Sequence, residues 1–405
     1  MISAGQSGEG SKILAGLRVL DMTQNVAGPF CTQILADFGA EVIKVERPKG
    51  GDDTRHWMPP EIEKQSATFL ALNRGKSSIG VDIDRPGGQD AIRALVASCD
   101  VVVHSMKPGS LEKRGLGYDA LSKINPRLIF CELSAFGQTG PFRDLPGYDP
   151  LLQAFTGIMS VTGHEGDRTA RVGVSLIDMG TGIWLALGIM AAILARSQDG
   201  KGRRVSASLM ETGVSWMTIV LAGFFATGKV PAKLGSATAM TAPYELFEAA
   251  DGSLFISAGN DRLFQNVCRS LDIAELLEDD RFRTNSSRVI NRAALHDAIE
   301  RRTREETVAS LIERLRAAGA PCAELHDVSQ VASHPQVTSA GILQPLPIDE
   351  ATDHKVVGLP ITLDGHRPTA SKVPPRLGED TDAILAAAGI DQETLKALRV
   401  QGAII

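Results

Sequence analysis

Over the first 135 residues, short apolar runs alternate with longer segments whose apolar positions recur every three or four residues. "GLRVLDM" (16–22), "AEVIKVE" (40–46), "SSIGVDI" (77–83), "DVVVHSM" (100–106) and "RLIFCELSAF" (127–136) read as strands. "GPFCTQILADFG" (28–39) reads as a helix with Pro29 at its start and Gly39 at its end, and "PGGQDAIRALVASC" (86–99) as another. Strands alternating with helices of this length predict a doubly wound α/β fold, a parallel sheet covered on both faces. Ligands of such sheets sit at the carboxyl ends of the strands.

The stretch "VGVSLIDMGTGIWLALGIMAAILARS" (172–197) has no charge from Met179 to Ala195, and Asp178 stands at its mouth. Its 17 uncharged residues lie at the lower edge of membrane-spanning length. Three glycines and a threonine interrupt it and no second such segment exists, so it predicts a buried central helix that ends at Arg196, Asp199 and Gly200. "GKGRRVSASLMETGVSWM" (200–217) adds a strand and a helix.

Near Phe225 the pattern changes. Residues 242–259 read as a hairpin turning at Asp251-Gly252, and 286–302 and 305–319 as amphipathic helices. The expected division is a large Rossmann-like domain from 1–215 and 330–405, a small α+β domain over 225–325, and linkers at 216–224 and 326–329. Beyond the small domain, 355–366 read as extended, 376–389 as a capped helix and 391–400 as a last helix, a tail expected to return to the first domain.

Composition narrows the function. The 405 residues exceed one ordinary core, and a net charge of −6 provides no basic footprint for nucleic acid. Five scattered cysteines without a CxxC pair predict neither a disulfide framework nor a zinc site, and no metal is expected. Residues 1–16 lack an apolar h-region and read as a tail, so a cytoplasmic or similarly reducing compartment is expected.

A doubly wound domain invites a dinucleotide, but the loop after the first strand, "TQNVAGP", has one glycine where the fingerprint needs three. Arg47 follows the second strand where a nicotinamide site would place an acid. With Arg74, Lys76, Arg85, Lys107, Lys113 and Arg114 it forms a set of cations at strand ends and loops. Singly these read as solvated surface; together they fit a phosphorylated nucleotide that is not NAD.

Several stretches together carry a family resemblance: "LRVLDMTQNVAGPFCTQILADFGAEVIKVERPKGGDDTR", "LNRGKSSIGVDI", "KPGSLEKRGLGYDALSKINPRLIFCELSAFGQTGPFRDLPGYD", "LIDMGTG", "GKGRRVSASLMETG" and "PPRLGEDTDAIL". In order and spacing, from about residue 16 to 385, the chain resembles the class III CoA-transferases, a family that also contains the α-methylacyl-CoA racemases. The resemblance implies an interlocked homodimer, acyl-CoA as substrate with no tightly bound cofactor, and Asp178 as a nucleophile passing through an aspartyl mixed anhydride and an aspartyl-CoA thioester. On the residues alone Asp178 reads equally well as a helix cap. The helix start is expected to favour its ionised form, and the small residues of "GTG" to leave room for substrate.

By the same resemblance, CoA lies along Val26, Ala27, Arg47, Ser105, Met106, Lys107 and Lys113, with Val26 and Ala27 of the first loop facing its acyl group. Tyr148 and Asp149 match a Tyr-Glu pair beside the nucleophile, and Gly235 is placed as the hinge of a short lid segment, "GSATAMTAPYELF". Val26 replaces a glutamine of the formyl-CoA enzymes, which argues against the smallest polar acyl groups. Asp84 stands where many members have a CoA-binding lysine, with Arg85 as its possible substitute. The stretch 256–292 resembles members that move CoA from succinyl-CoA to other short dicarboxylic acids.

Two rivals remain. A racemase needs a histidine at Tyr148, and none of the eight histidines falls there; a phenol, ordinarily titrating near ~10, is a poor proton shuttle. A non-catalytic acyl-CoA-binding protein would have no need of Asp178 and its small neighbours.

Overall fold

The structure, a computed structural model, describes residues 12–370 and 372–405, so most of the tail expected at 1–16 lies outside the described residues. Six parallel strands form one sheet: β1 (Arg18–Met22), β2 (Glu41–Glu46), β3 (Lys76–Gly80), β4 (Val101–His104), β5 (Ile129–Ser134) and β6 (Arg203–Ser208). Their order is β3-β2-β1-β4-β5-β6, so the direction of winding reverses between β1 and β4. The loops leaving these two strands diverge at that point and open a crevice at their carboxyl ends.

Four helices border this crevice or pack beneath it: α1 (Ala27–Asp37), α2 (Asp149–Phe155), α3 (Leu176–Asp199) and α4 (Leu209–Trp216). Gly182 lets α3 approach the start of α1, because a Cβ there would stand 2.6 Å from the Ala27 carbonyl oxygen. Gly180 likewise admits the Trp216 ring of α4 at 2.6 Å. Thr181 donates its hydroxyl to the Ile177 carbonyl at 2.7 Å and meets Thr212 of α4. The small "GTG" residues, expected to make room for substrate, therefore serve close helix packing.

The apolar helix differs from expectation. One face of α3 is buried through Ile177, Leu185, Ala186 and Ile189, but Ile183, Leu187 and Leu194 are 50%, 51% and 65% exposed. A helix apolar all round needs cover all round, and the chain by itself covers one side. By length and composition, α3 also reaches membrane-crossing dimensions.

The chain divides into two compact units. The first comprises residues up to Ile158, Val172–Ala222 and Thr338–Ile405. The second comprises Met159–Arg171 and Gly223–Val337, so a short early segment belongs to it as well. Within the first unit the carboxyl-terminal tail returns to the edge strand: Asp82 donates its N–H to the Ala403 carbonyl at 2.8 Å, and Ile404 bridges Val81. Leu385, Leu395, Leu398 and Ile404 join Ile43, Ile79 and Ile92 in one core.

The second unit holds a three-stranded antiparallel sheet whose hairpin, Tyr244–Glu248 with Ser253–Ser257, turns at Asp251-Gly252, and Cys322–Glu324 adds to its other edge. The single helix expected over 286–302 is two, Asn285–Ile290 and Arg292–Thr303. Asn291, with ψ 26°, ends the first and starts the second.

Candidate active site

A cleft of about 500 Å³ opens at the carboxyl ends of β1, β2, β4 and β5 in the first unit. Val26, Ala27, Arg47, Ser105, Met106, Lys107, Tyr148 and Asp178 all line it. Residues from Val26 to Asp178, far apart in the chain, meet here because the crossovers of a doubly wound sheet deliver their loops to one edge.

Asp178 lies in the first turn of α3, and the cap position belongs to Ser175, whose side chain caps nothing. The donors of that first turn are taken from outside the helix. Asp149, at the start of α2 and only 2% exposed, accepts from the Ile177 N–H at 2.7 Å and the Asp178 N–H at 3.2 Å. Its other oxygen accepts from Gln153 at 2.6 Å. Asp149 therefore supplies the capping that the residues alone allowed for Asp178, and it adds a second negative charge.

This reverses the expected electrostatics. Burial, and then the charge of Asp149, push the Asp178 carboxyl up to about 7. The partial positive charge of the helix start does not prevail, because its donors are already satisfied by an anion. A carboxylate held up by burial and a neighbouring anion is poorly solvated, as an attacking group should be.

Cations stand along the cleft. Arg47 follows β2 with its side chain 59% exposed; it donates to the Gly51 carbonyl and pairs with Asp53. Lys107 is exposed after β4. Lys113 does not line the cleft, and its neighbour Arg114 does, with Nε bound to Asp84 at 2.8 Å. Asp84 also lines it, whereas Arg85 pairs with Asp82 outside it. Ser105 accepts the Gln24 N–H at 3.2 Å, which joins the loops after β1 and β4. His104 accepts the Met106 N–H at 3.3 Å, and burial, then Arg204, lower its pKa to about 4, so a neutral ring holds this turn.

Other lining residues, Asn25, Asp52, Trp57 and Arg143 among them, escaped sequence reasoning. Trp57 and Arg143 come from loops without a periodic pattern; the only signal for Arg143 was its place shortly before Tyr148. No histidine is among the described residues lining the cleft. Gly235 lies in the second unit at φ 60°, where its N–H bonds the Gly163 carbonyl and the His164 ring lies against it. Among the described residues no cluster of histidine, cysteine and carboxylates has metal-binding geometry.

Comparison with known proteins gives the family. The model of CoA-transferase family III matches residues 14–381. Succinyl-CoA:glutarate CoA-transferase of Mus musculus is 38% identical over 92% of this chain and 86% of its own length. Succinate–glutarate CoA-transferase of Agrobacterium fabrum is 34% identical over 92% and 95%. A solved structure, a CAIB/BAIF family protein from Brucella suis, superimposes with a TM-score of 0.83 at 36% identity, covering 93% of this chain and all of that one. The chain belongs to CoA-transferase family III and is a CoA-transferase of that class.

Proposed function

We propose that this enzyme moves CoA from succinyl-CoA or a similar donor to a short carboxylic or dicarboxylic acid, with Asp178 as the covalent relay. The observation that carries the reading is Asp178 itself, a carboxylate raised to about 7 in the cleft that Arg47, Lys107, Arg114 and Arg143 also line. The mouse relative is named for succinyl-CoA and glutarate and the Agrobacterium one for succinate and glutarate, which supports that pair as first substrates.

In this scheme a carboxylate oxygen of Asp178 attacks the thioester carbonyl, the C–S bond breaks, and CoA thiolate leaves a mixed anhydride. The thiolate then attacks the Asp178 acyl carbon, releasing the donor acid and leaving an aspartyl-CoA thioester. The acceptor carboxylate attacks that thioester, forming a second anhydride and freeing CoA thiolate once more. Thiolate attack on the acceptor carbonyl gives the new acyl-CoA and restores Asp178. The carboxylate and the thiolate are both regenerated, so the chemistry calls on no other cofactor.

CoA is assigned to Arg47, Ser105, Met106 and Lys107, with Arg114 taking the part expected of Lys113, and Val26, Ala27 and Tyr148 flank the acyl group. The working form is assigned as the interlocked homodimer, in which a second copy covers Ile183, Leu187 and Leu194. The test mixes succinyl-CoA with glutarate and follows the new thioester. Asp178→Ala should abolish transfer, and hydroxylamine should trap wild-type enzyme at Asp178 and leave the alanine variant unmodified. Undiminished transfer by Asp178→Ala would sink the scheme.

A further inference from the structure

The loop from β1 to α1 carries Val26 and Ala27 into the cleft that Asp178 lines. Its path is unusual. Asn25 sits in the left-handed region at φ 68°, a conformation costly for any residue with a side chain and least so for Asn. Buried charges clamp the backbone on each side of it. Asp21 accepts the Thr23 N–H at 3.0 Å, and Lys44 donates to the Thr23 carbonyl at 3.0 Å. Lys44 also pairs with Asp52 at 2.7 Å, and both side chains are fully buried. The other oxygen of Asp52 accepts the Asn25 N–H at 3.2 Å. Beyond the loop, Lys76 joins Asp21 at 3.1 Å to the Pro29 carbonyl at 2.9 Å.

Four buried charges thus reach the chain at Thr23, Asn25 and Pro29, on both sides of Val26 and Ala27. Desolvating such ions costs several kcal/mol each, and apolar residues of similar size commonly stabilise a core as well or better. Stability therefore gives a weak reason for charges at this place. A fixed loop path gives a stronger one, because each charge holds a specific backbone atom.

We propose that the Lys44–Asp52 pair and left-handed Asn25 are positioning residues for the acyl-facing loop: they set where Val26 and Ala27 stand relative to Asp178, and so the rate of attack on the thioester, without contributing to CoA affinity. The proposal rests on Asp178 being the nucleophile, and its test separates the two claims. Wild-type enzyme is mixed with succinyl-CoA, quenched in hydroxylamine, and the modification of Asp178 timed; CoA affinity is measured separately with free CoA. No modification of wild-type Asp178 would remove the functional reading and this proposal with it.

If the adduct forms, the variants decide. Asn25→Val cannot hold φ 68° without strain and should slow modification by about ten- to a hundredfold, the cost of a small misplacement. Its CoA affinity should stay within about threefold, since binding and attack are separate readouts. Asn25→Gly, which accepts the conformation freely, should restore most of the rate. Lys44→Met with Asp52→Ala removes both buried charges, leaves no unpaired ion, and should reproduce the slow step with CoA affinity kept. Lys44→Met with Asp52→Asn keeps an oxygen for Asn25 but no donor for the Thr23 carbonyl, and should recover only part of the rate. Should the Met/Ala double variant fail to fold, the Asn25 pair decides alone. Wild-type speed in Asn25→Val, CoA affinity falling in step with the rate, or Asn25→Gly as slow as Asn25→Val would each overturn the proposal.

Discussion

Asp149→Asn isolates the charge that stands behind the nucleophile. In the wild type, burial is the larger cause of the raised Asp178 carboxyl and the Asp149 charge the smaller. The asparagine keeps an oxygen for the Ile177 and Asp178 N–H groups but loses the charge. The apparent acidic limb of kcat/KM, which reports the free enzyme, should therefore move from about 7 toward the ordinary 3.8 without reaching it, because burial is untouched. At pH 6 a group titrating at about 7 is roughly one-tenth ionised, so the relative rate can rise by at most about tenfold. At pH 8 the wild-type nucleophile is already ionised, and any loss there measures geometry alone. Such a loss is expected to be modest, since the amide must also accommodate Gln153, which now donates to Asp149 at 2.6 Å. The assay is succinyl-CoA-dependent thioester formation from pH 5 to 9 in both enzymes. An acidic limb that does not move would refute the electrostatic account; a uniform loss at every pH would leave Asp149 with a capping role only.

Linkage gives a second prediction. The unfolded Asp178 ionises near 3.8 while the folded one holds its proton to about 7, so unfolding releases a proton between these values and stability falls as pH rises through them. Asp178→Asn should escape that fall, with an upper bound of about 4 kcal/mol at ~1.4 kcal/mol per tenfold; parallel urea melts of the two proteins across this window would contradict it. Arg47→Ala should raise KM alike for succinyl-CoA and acetyl-CoA, since the contact is assigned to the shared nucleotide; a donor-specific effect would move Arg47 to the acyl end. In D₂O with acyl-CoA alone, no enzyme-dependent deuterium should enter the α-carbon, and rapid exchange without transfer would favour the racemase branch. Leu187→Glu puts a charge on the exposed face of α3 and should shift the protein to monomer in sedimentation; an unchanged oligomer would exclude this face from the interface.

The alternation of strand and helix determined the parallel sheet, because period and element length are local properties that packing here did not override. The sequence also located Asp178 at a helix start, the glycines that follow it, and, in the loops after strands that the alternation had marked, the cleft-lining Val26, Ala27, Arg47, Ser105, Met106 and Lys107. Its family resemblance carried the chemistry further than periodicity did. What depended on long-range contact was illegible. That Asp149 caps the turn of Asp178 needs two helices brought together from 29 positions apart in the chain, and its charge adds to the burial that reverses the electrostatic expectation. That Gly180 and Gly182 admit Trp216 and the Ala27 carbonyl is a matter of how closely helices approach. Asp21 and Lys44 look like ordinary charges within strands and Asp52 like one in a loop, and only the tertiary fold buries them together beneath one loop. Spacing along a chain reports which face a side chain occupies; which backbone atom or charge it meets there is decided by the crossovers that bring distant strand ends to one edge.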